Sequence, residues 1–234
     1  MRVVRGSDPE VDNDRRITGS IADLAADTAE PVLRVWTPPR QLAFGRRDAT
    51  AAGYDRARRI AAESGYEPIE RSVGGSAVAY TGDTVAFGYA EPTDGRGGID
   101  RRYRRTTATL ADAFRETGAR VSLGEPDRSF CPGQHSLQGT GKIAGIAQRV
   151  KRNSALVGGC VIVLRSDSAA IADVLAPVYD ALDRPFDPGS VGSVESAGGI
   201  GDVDAARDAI ESAFVGDRNP TTVSAADLLD SGAP

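Results

Sequence analysis

The positive charge of this chain is carried almost wholly by arginine: of 28 Lys and Arg residues only Lys142 and Lys151 are lysine. Where arginine serves for ordinary surface charge, a retained lysine points to a need for a compact ammonium or a titratable amine. Lys142 lies in the apolar, glycine-rich run GTGKIAGIA, where burial would lower its proton affinity. Its alternative role is a charge on a strand edge. Cys131 lies in SFCPGQHS, ahead of Pro-Gly, so the backbone of a loop places it. A thiol nucleophile is partly exposed and sits near a positive group that favours the thiolate; Lys142 is the candidate for that group. A small apolar side chain packed under the loop is the other reading of Cys131. His135 follows four residues later. Nucleophile–base pairs of Cys and His usually come from distant parts of a chain, so no catalytic role is assigned to it. Cys160, in LVGGCVIV, reads as core. In ERSVGGSAVAY the pair Gly74-Gly75 would let a ligand approach the backbone closely, or would simply form a turn.

Several chemistries are absent from the pattern. Two cysteines and one histidine fall short of a structural zinc site, so no metal is expected. No G-x-S-x-G elbow, Walker A loop or G-x-G-x-x-G in strand–loop–helix context is present. The net charge of −5 disfavours a broad nucleic-acid-binding surface. No apolar run is long enough to cross a membrane, and the N-terminus MRVVRGSDPEVDNDRR has no signal-peptide core, so a cytoplasmic location is expected.

The elements that must position these residues follow from periodicity. Ile17, Ile21 and Leu24 mark a helix at 17–27, after a frayed N-terminal segment 1–16. Strands are expected at 31–36 and 41–45, a helix at 49–64, and strands at 67–71, 75–81 and 84–90. Gly82-Asp83 suggests a hairpin between the last two. A long helix at 99–118 presents Tyr103, Thr107, Leu110 and Phe114, and a strand at 119–124 leads into the Cys131 loop. Strands at 142–150 and 155–165 flank a turn at Lys151-Arg152-Asn153. Helices at 168–182 and 203–214 complete the pattern, the last opening at Asp202 or Asp204, and a polar tail covers 217–234. Strands come in groups with helices between the groups, which implies an α+β or mixed α/β domain rather than a doubly wound sheet.

Taken in order, three segments resemble the biotin/lipoate protein ligase superfamily, in its lipoate-attachment branch. VLRVWTPPRQLAFGRRD is similar to that family's first two strands, ERSVGGSAVAY to its R-x-x-G-G-x-A-V signature, and GKIAGIAQRV to its K-[IVF]-x-G-x-[AS]-Q segment. The likeness runs from about residue 20 to 215. It implies a catalytic domain over 17–216 with a mixed, largely antiparallel sheet of the class II aminoacyl-tRNA-synthetase type. By position it makes Lys142 the family's acyl-contacting lysine. It places Arg71, Gly74, Gly75 and Ala77 in the substrate pocket, continued by Gly145 and Gln148. RSFCPGQHSL resembles the cysteine loop of the amidotransferases that move octanoyl groups between glycine cleavage H protein and other lipoyl domains. It departs from them at His135, where an aromatic is usual, and at Ser136, where aspartate is common.

The resemblance thus implies an acyltransferase carrying an octanoyl or lipoyl group on Cys131, with Lys142 stabilising the oxyanion and an apolar tunnel beside the glycine pair. Its partners would be H protein and the E2 lipoyl domains of 2-oxoacid dehydrogenases, and it would need no cofactor. An ATP- and Mg²⁺-dependent lipoate–protein ligase domain, completed by a separate accessory protein, is the alternative. A non-enzymatic binder of lipoate or lipoyl domains is a third reading. Biotin ligation ranks last, because no G-R-G-R-x-x-R-x-W-like loop is present.

Overall fold

The computed structural model describes residues 1–71, 75–95 and 97–230. Gly74, expected in the substrate pocket, lies outside the described residues. The chain opens with β1 (Arg2–Arg5) and α1 (Val11–Thr28). Helix α1 buries Val11, Asp14, Ile17, Ile21 and Ala25 along one face, at the three-to-four-residue spacing of an amphipathic helix, and stops at Ala29 in a left-handed conformation. Then come β2 (Val32–Trp36), β3 (Gln41–Phe44), α2 (Tyr54–Glu63), β4 (Glu67–Glu70), β5 (Val78–Tyr80) and β6 (Val85–Pro92). Helix α3 (Ile99–Glu116) turns Leu110, Ala111 and Phe114 inward. Strands β7 (Ser122–Leu123), β8 (Ser136–Gln138), β9 (Lys142–Val150) and β10 (Ser154–Val161) precede α4 (Arg165–Ala181). Helix α5 (Val203–Val215), β11 (Thr221–Ser224) and α6 (Ala225–Asp230) end the described chain. Asp202 caps α5, its carboxylate accepting the Ala205 N–H at 2.8 Å.

Two sheets result. The larger runs β11-β1-β2-β6-β10-β9-β8-β7, and the smaller β4-β3-β5. Pairing is parallel at β11–β1, β1–β2 and β3–β4 and antiparallel elsewhere, which is the mixed, largely antiparallel architecture expected. Helices α3 and α5 pack on one face of the large sheet through Leu110, Phe114, Ile210 and Phe214 against Leu33, Phe87 and Tyr89. Helix α1 covers part of the opposite face, with Ile17 and Ile21 against Val32 and Ala90. The small sheet closes onto α2 and α4 around Leu42, Phe44, Leu175 and Tyr179.

Three local expectations are corrected. Residues 1–16 are not a frayed arm: β1 lies between β11 and β2, and α1 begins at Val11. The tail likewise carries β11, whose Thr221–Ser224 pair in register with Arg2–Arg5. Gly82-Asp83 does turn the chain, but β5 and β6 form no hairpin. Strand β5 pairs with β3, while β6 is taken on both edges by β2 and β10. The turn therefore passes the chain from one sheet to the other.

Candidate active site

Cys131 sits in the loop between β7 and β8 with a positive φ of 41°, an uncommon backbone state for a residue with a side chain. Three contacts hold it there. Its N–H donates to the Tyr179 hydroxyl of α4 at 2.6 Å, and that hydroxyl donates to the Ala77 carbonyl at 3.0 Å. Its carbonyl accepts from Lys142 Nζ at 2.8 Å. Its Sγ accepts from Arg71 Nη2 at 3.1 Å. The same Nη2 donates to the Ser76 carbonyl at 2.5 Å. Burial alone would push the Arg71 guanidinium down; the opposing charges of Cys131 and Tyr80, with the bond to Cys131, outweigh it and hold its proton more tightly than usual.

Lys142, at the start of β9, is 1% exposed. Its ammonium donates to Glu125 Oε2 at 2.6 Å, to the Phe130 carbonyl at 2.9 Å and to the Cys131 carbonyl. All three N–H bonds are thereby occupied. The cation that meets the sulfur is Arg71, which the sequence placed in the substrate pocket, and Lys142 supports the loop from beneath. Gly145 lies over the lysine stem, since a Cβ there would stand 3.5 Å from Lys142 Cε.

Gly75 is required by space and by conformation. Its φ is +96°, and a Cβ would lie 2.7 Å from both Cys131 Sγ and Arg71 Nη2. Behind it, Gly45 approaches so closely that a Cβ would meet the Gly75 carbonyl oxygen at 1.9 Å. Buried Asp48 pairs with Arg184 Nε at 3.1 Å and accepts the Gly45 N–H at 2.9 Å. Burial pushes the Asp48 carboxyl up, against the opposing effects of the Gly45 bond and of Arg184 and Arg71.

Cys131, Lys142, Arg71, Gly75, Ala77 and Gly145 therefore meet at one centre. Gln148 does not join it: its side chain accepts from Arg102 Nε at 2.9 Å and donates to the Ile99 carbonyl at 3.0 Å, both on α3. His135 stacks on Tyr103 with ring centroids 3.7 Å apart, so it packs as an aromatic ring would.

A comparison with known families decides the lineage: the lipoyl protein ligase A/B catalytic domain matches residues 20–214. The chain belongs to this family. It is similar to the octanoyl-[GcvH]:protein N-octanoyltransferase of Exiguobacterium sp., at 31% identity over 160 residues, 67% of this chain and 57% of that protein. The enzyme of the same name from Geobacillus kaustophilus is 28% identical over 159 residues, 67% of this chain and 56% of that protein. The aligned region thus spans little more than half the length of these relatives. Among solved structures, lipoate-protein ligase A bound with ATP superposes with a TM-score of 0.78 at 17% identity, covering 98% of this chain and 92% of that one. A bi-partite lipoate protein ligase from Thermoplasma acidophilum gives 0.69 at 16% identity, covering 98% and 90%. At such identities the likeness establishes the fold.

Within this lipoyl ligase-family site, sequence reasoning missed Glu125, Tyr179, Asp48, Arg184 and the place of Cys160. The core assignment of Cys160 holds, at 6% exposure. Burial, followed by the charge of Cys131, pushes its thiol up to about 11, so it stays protonated near neutral pH. None of these residues carries a local signal: Tyr179, Asp48, Arg184 and Cys160 reach the centre from other elements, and Glu125 is brought back to it by the fold of the β7–β8 loop that also carries Cys131. Among the described residues no group of three or more His, Cys, Asp or Glu is placed to hold a metal ion. No helix among them is long and apolar enough to cross a membrane.

Proposed function

We propose that this chain transfers an octanoyl or lipoyl group between lysine side chains of lipoyl-type domains through a thioester on Cys131. The observation that carries the reading is the guanidinium of Arg71, 3.1 Å from Cys131 Sγ. A fixed cation at a partly exposed sulfur is the environment of a thiolate nucleophile. The similar octanoyl-[GcvH]:protein N-octanoyltransferases support the substrate class.

The reaction balances without ATP. The Cys131 thiolate adds to the carbonyl of an octanoyl-lysine amide, and the tetrahedral adduct collapses to a thioester with the C–N bond broken. The departing amine takes up one proton. The acceptor's neutral lysine amine then attacks the thioester, loses a proton and releases the thiolate. One amide replaces another, so the overall exchange is close to thermoneutral, and the covalent intermediate divides it into two easier steps. Lys142 holds three hydrogen bonds beneath the loop and would have to exchange one of them to take part in the transfer.

The floor beside the centre suits an acyl chain. Cys160 pairs with Gly145 and Ala86 in the sheet, and Gly158 with Ala147 and Gly88, so this face carries small side chains in succession. Ile21 of α1 covers Gly88, where a Cβ would stand 2.9 Å from its Cδ1, while Gly145 and Gly158 are half-buried and Ala147 is exposed. Burying an eight-carbon chain there would contribute about 0.8 kcal/mol per methylene.

Intact-protein mass spectrometry tests the reading. Incubation with octanoylated H protein in the absence of ATP should add one octanoyl group to the wild type and none to Cys131→Ser. If no adduct forms, and H protein becomes modified only when lipoate, ATP and Mg²⁺ are supplied, the chain acts as a lipoate–protein ligase instead. No turnover with either donor would leave a binding protein.

A further inference from the structure

We propose that Glu125 is a positioning residue for the acyl transfer, holding the Cys131 loop and Lys142 in one register. The proposal rests on the transferase reading above. Both carboxylate oxygens of Glu125 face donors. Oε1 accepts the Gly133 N–H at 2.7 Å, and Oε2 accepts the Ser136 hydroxyl at 2.8 Å and Lys142 Nζ at 2.6 Å. Glu125 therefore bonds to the loop on the far side of Cys131, to the first residue of β8, and to the ammonium beneath the loop. Lys142 in turn holds the Phe130 and Cys131 carbonyls, on the near side. The segment from Phe130 to Ser136 is thus closed into a ring of contacts whose common member is the Glu125–Lys142 pair.

Two features make the carboxylate specific rather than a convenient acceptor. First, an ammonium that is 1% exposed needs a counter-charge, because an unpaired buried cation is costly. Glu125 supplies it at 2.6 Å, and its own side chain is 16% exposed. Second, three donors converge on two oxygens. A glutamine presents an NH₂ group at one of them, so it would set donor against donor at either Gly133 or Lys142. The loop has reason to move when released, since Cys131 holds a positive φ that a non-glycine residue leaves when free to do so. Relaxation there would carry Sγ away from Arg71.

The test compares Glu125→Gln, Glu125→Asp and Ser136→Ala with the wild type. The first readout is the rate of octanoyl-thioester formation on Cys131, followed by intact mass, with thermal unfolding alongside. Glu125→Gln should slow acylation by about 10- to 100-fold, the loss expected when a hydrogen bond to a charged group is broken. Glu125→Asp keeps the charge beside Lys142 and should recover part of that loss. Ser136→Ala removes one bond and leaves the ion pair, so it should fold normally and lose only a few-fold. Wild-type-like acylation by Glu125→Gln would overturn the proposal. So would equal losses in the Gln and Asp variants that merely follow their loss of stability. The second readout, alkylation of Cys131 by iodoacetamide, is independent of substrate. It should slow several-fold in Glu125→Gln even if the wild type forms no octanoyl adduct, an outcome that would count against the transferase reading alone. Unchanged alkylation in that variant refutes the positioning role.

Discussion

Replacing Arg71 with methionine removes the cation at Cys131 while keeping an unbranched, apolar stem. The size of the effect follows from one distance. At an effective dielectric of about 20, opposite unit charges at the observed 3.1 Å attract by about 5 kcal/mol. Cys131 is partly open to water, and hydrogen bonds to charged groups in proteins are typically worth about 1.5–3 kcal/mol, so the lower range governs. That corresponds to roughly 10- to 150-fold in the strength of the contact that Arg71 makes with the sulfur. Iodoacetamide should therefore alkylate the Met variant roughly 10-fold more slowly, the low end of that range. The rate is read by mass spectrometry with the site mapped to Cys131. Cys160 does not contribute, being buried with its thiol pushed up to about 11. Arg71→Lys restores a charge on a shorter stem with a different head geometry, whereas Arg71 meets both Sγ and the Ser76 carbonyl through Nη2, so it should fall between the two. A folded Met variant that alkylates at the wild-type rate refutes Arg71 as the activating group.

Gly75→Ala should abolish acyl transfer while leaving the protein folded, because the added Cβ stands 2.7 Å from the sulfur and the guanidinium at a φ of +96°; undiminished turnover would show that the loop yields freely. Asp14→Ala strands the fully buried Arg34, whose Nη2 bonds Asp14 at 2.5 Å, and removes the acceptor of Trp36 Nε1 at 2.8 Å. It should cost about 3–5 kcal/mol in urea unfolding, and a loss under 1 kcal/mol would mean that the cation finds water. Tyr54 is raised to about 12, by burial first and then by its bond to Glu70. The folded state therefore keeps this proton longer than the unfolded chain. Its stabilising contribution is complete below about pH 10 and is lost as the pH rises toward 12. An ultraviolet titration against Tyr54→Phe isolates this ionisation, and Glu70→Gln should move it downward.

Much of this protein can be read from local pattern. The helix at 99–118, the β9–β10 pair about its Lys151–Asn153 turn, and the cap at Asp202 follow from periodicity and side-chain chemistry within a few residues. Cys131 and Lys142 stand out by residue type alone, and the ordered motifs point to the lipoyl ligase family. What the chain could not disclose locally is which cation meets the sulfur. Arg71 lies 60 residues from Cys131 in sequence, and Tyr179 lies 48 residues away on α4. The lysine that its setting singles out has all three donors turned to Glu125 and two backbone carbonyls. The same reason explains the misread ends. Arg2–Arg5 becomes a strand because Val32–Arg34 and Thr221–Ser224 offer free edges on either side. Val78–Tyr80 joins β3 because both edges of β6 are already occupied. Propensity and spacing act over a few residues, whereas strand partners and ion pairs are settled by which distant segments arrive beside them.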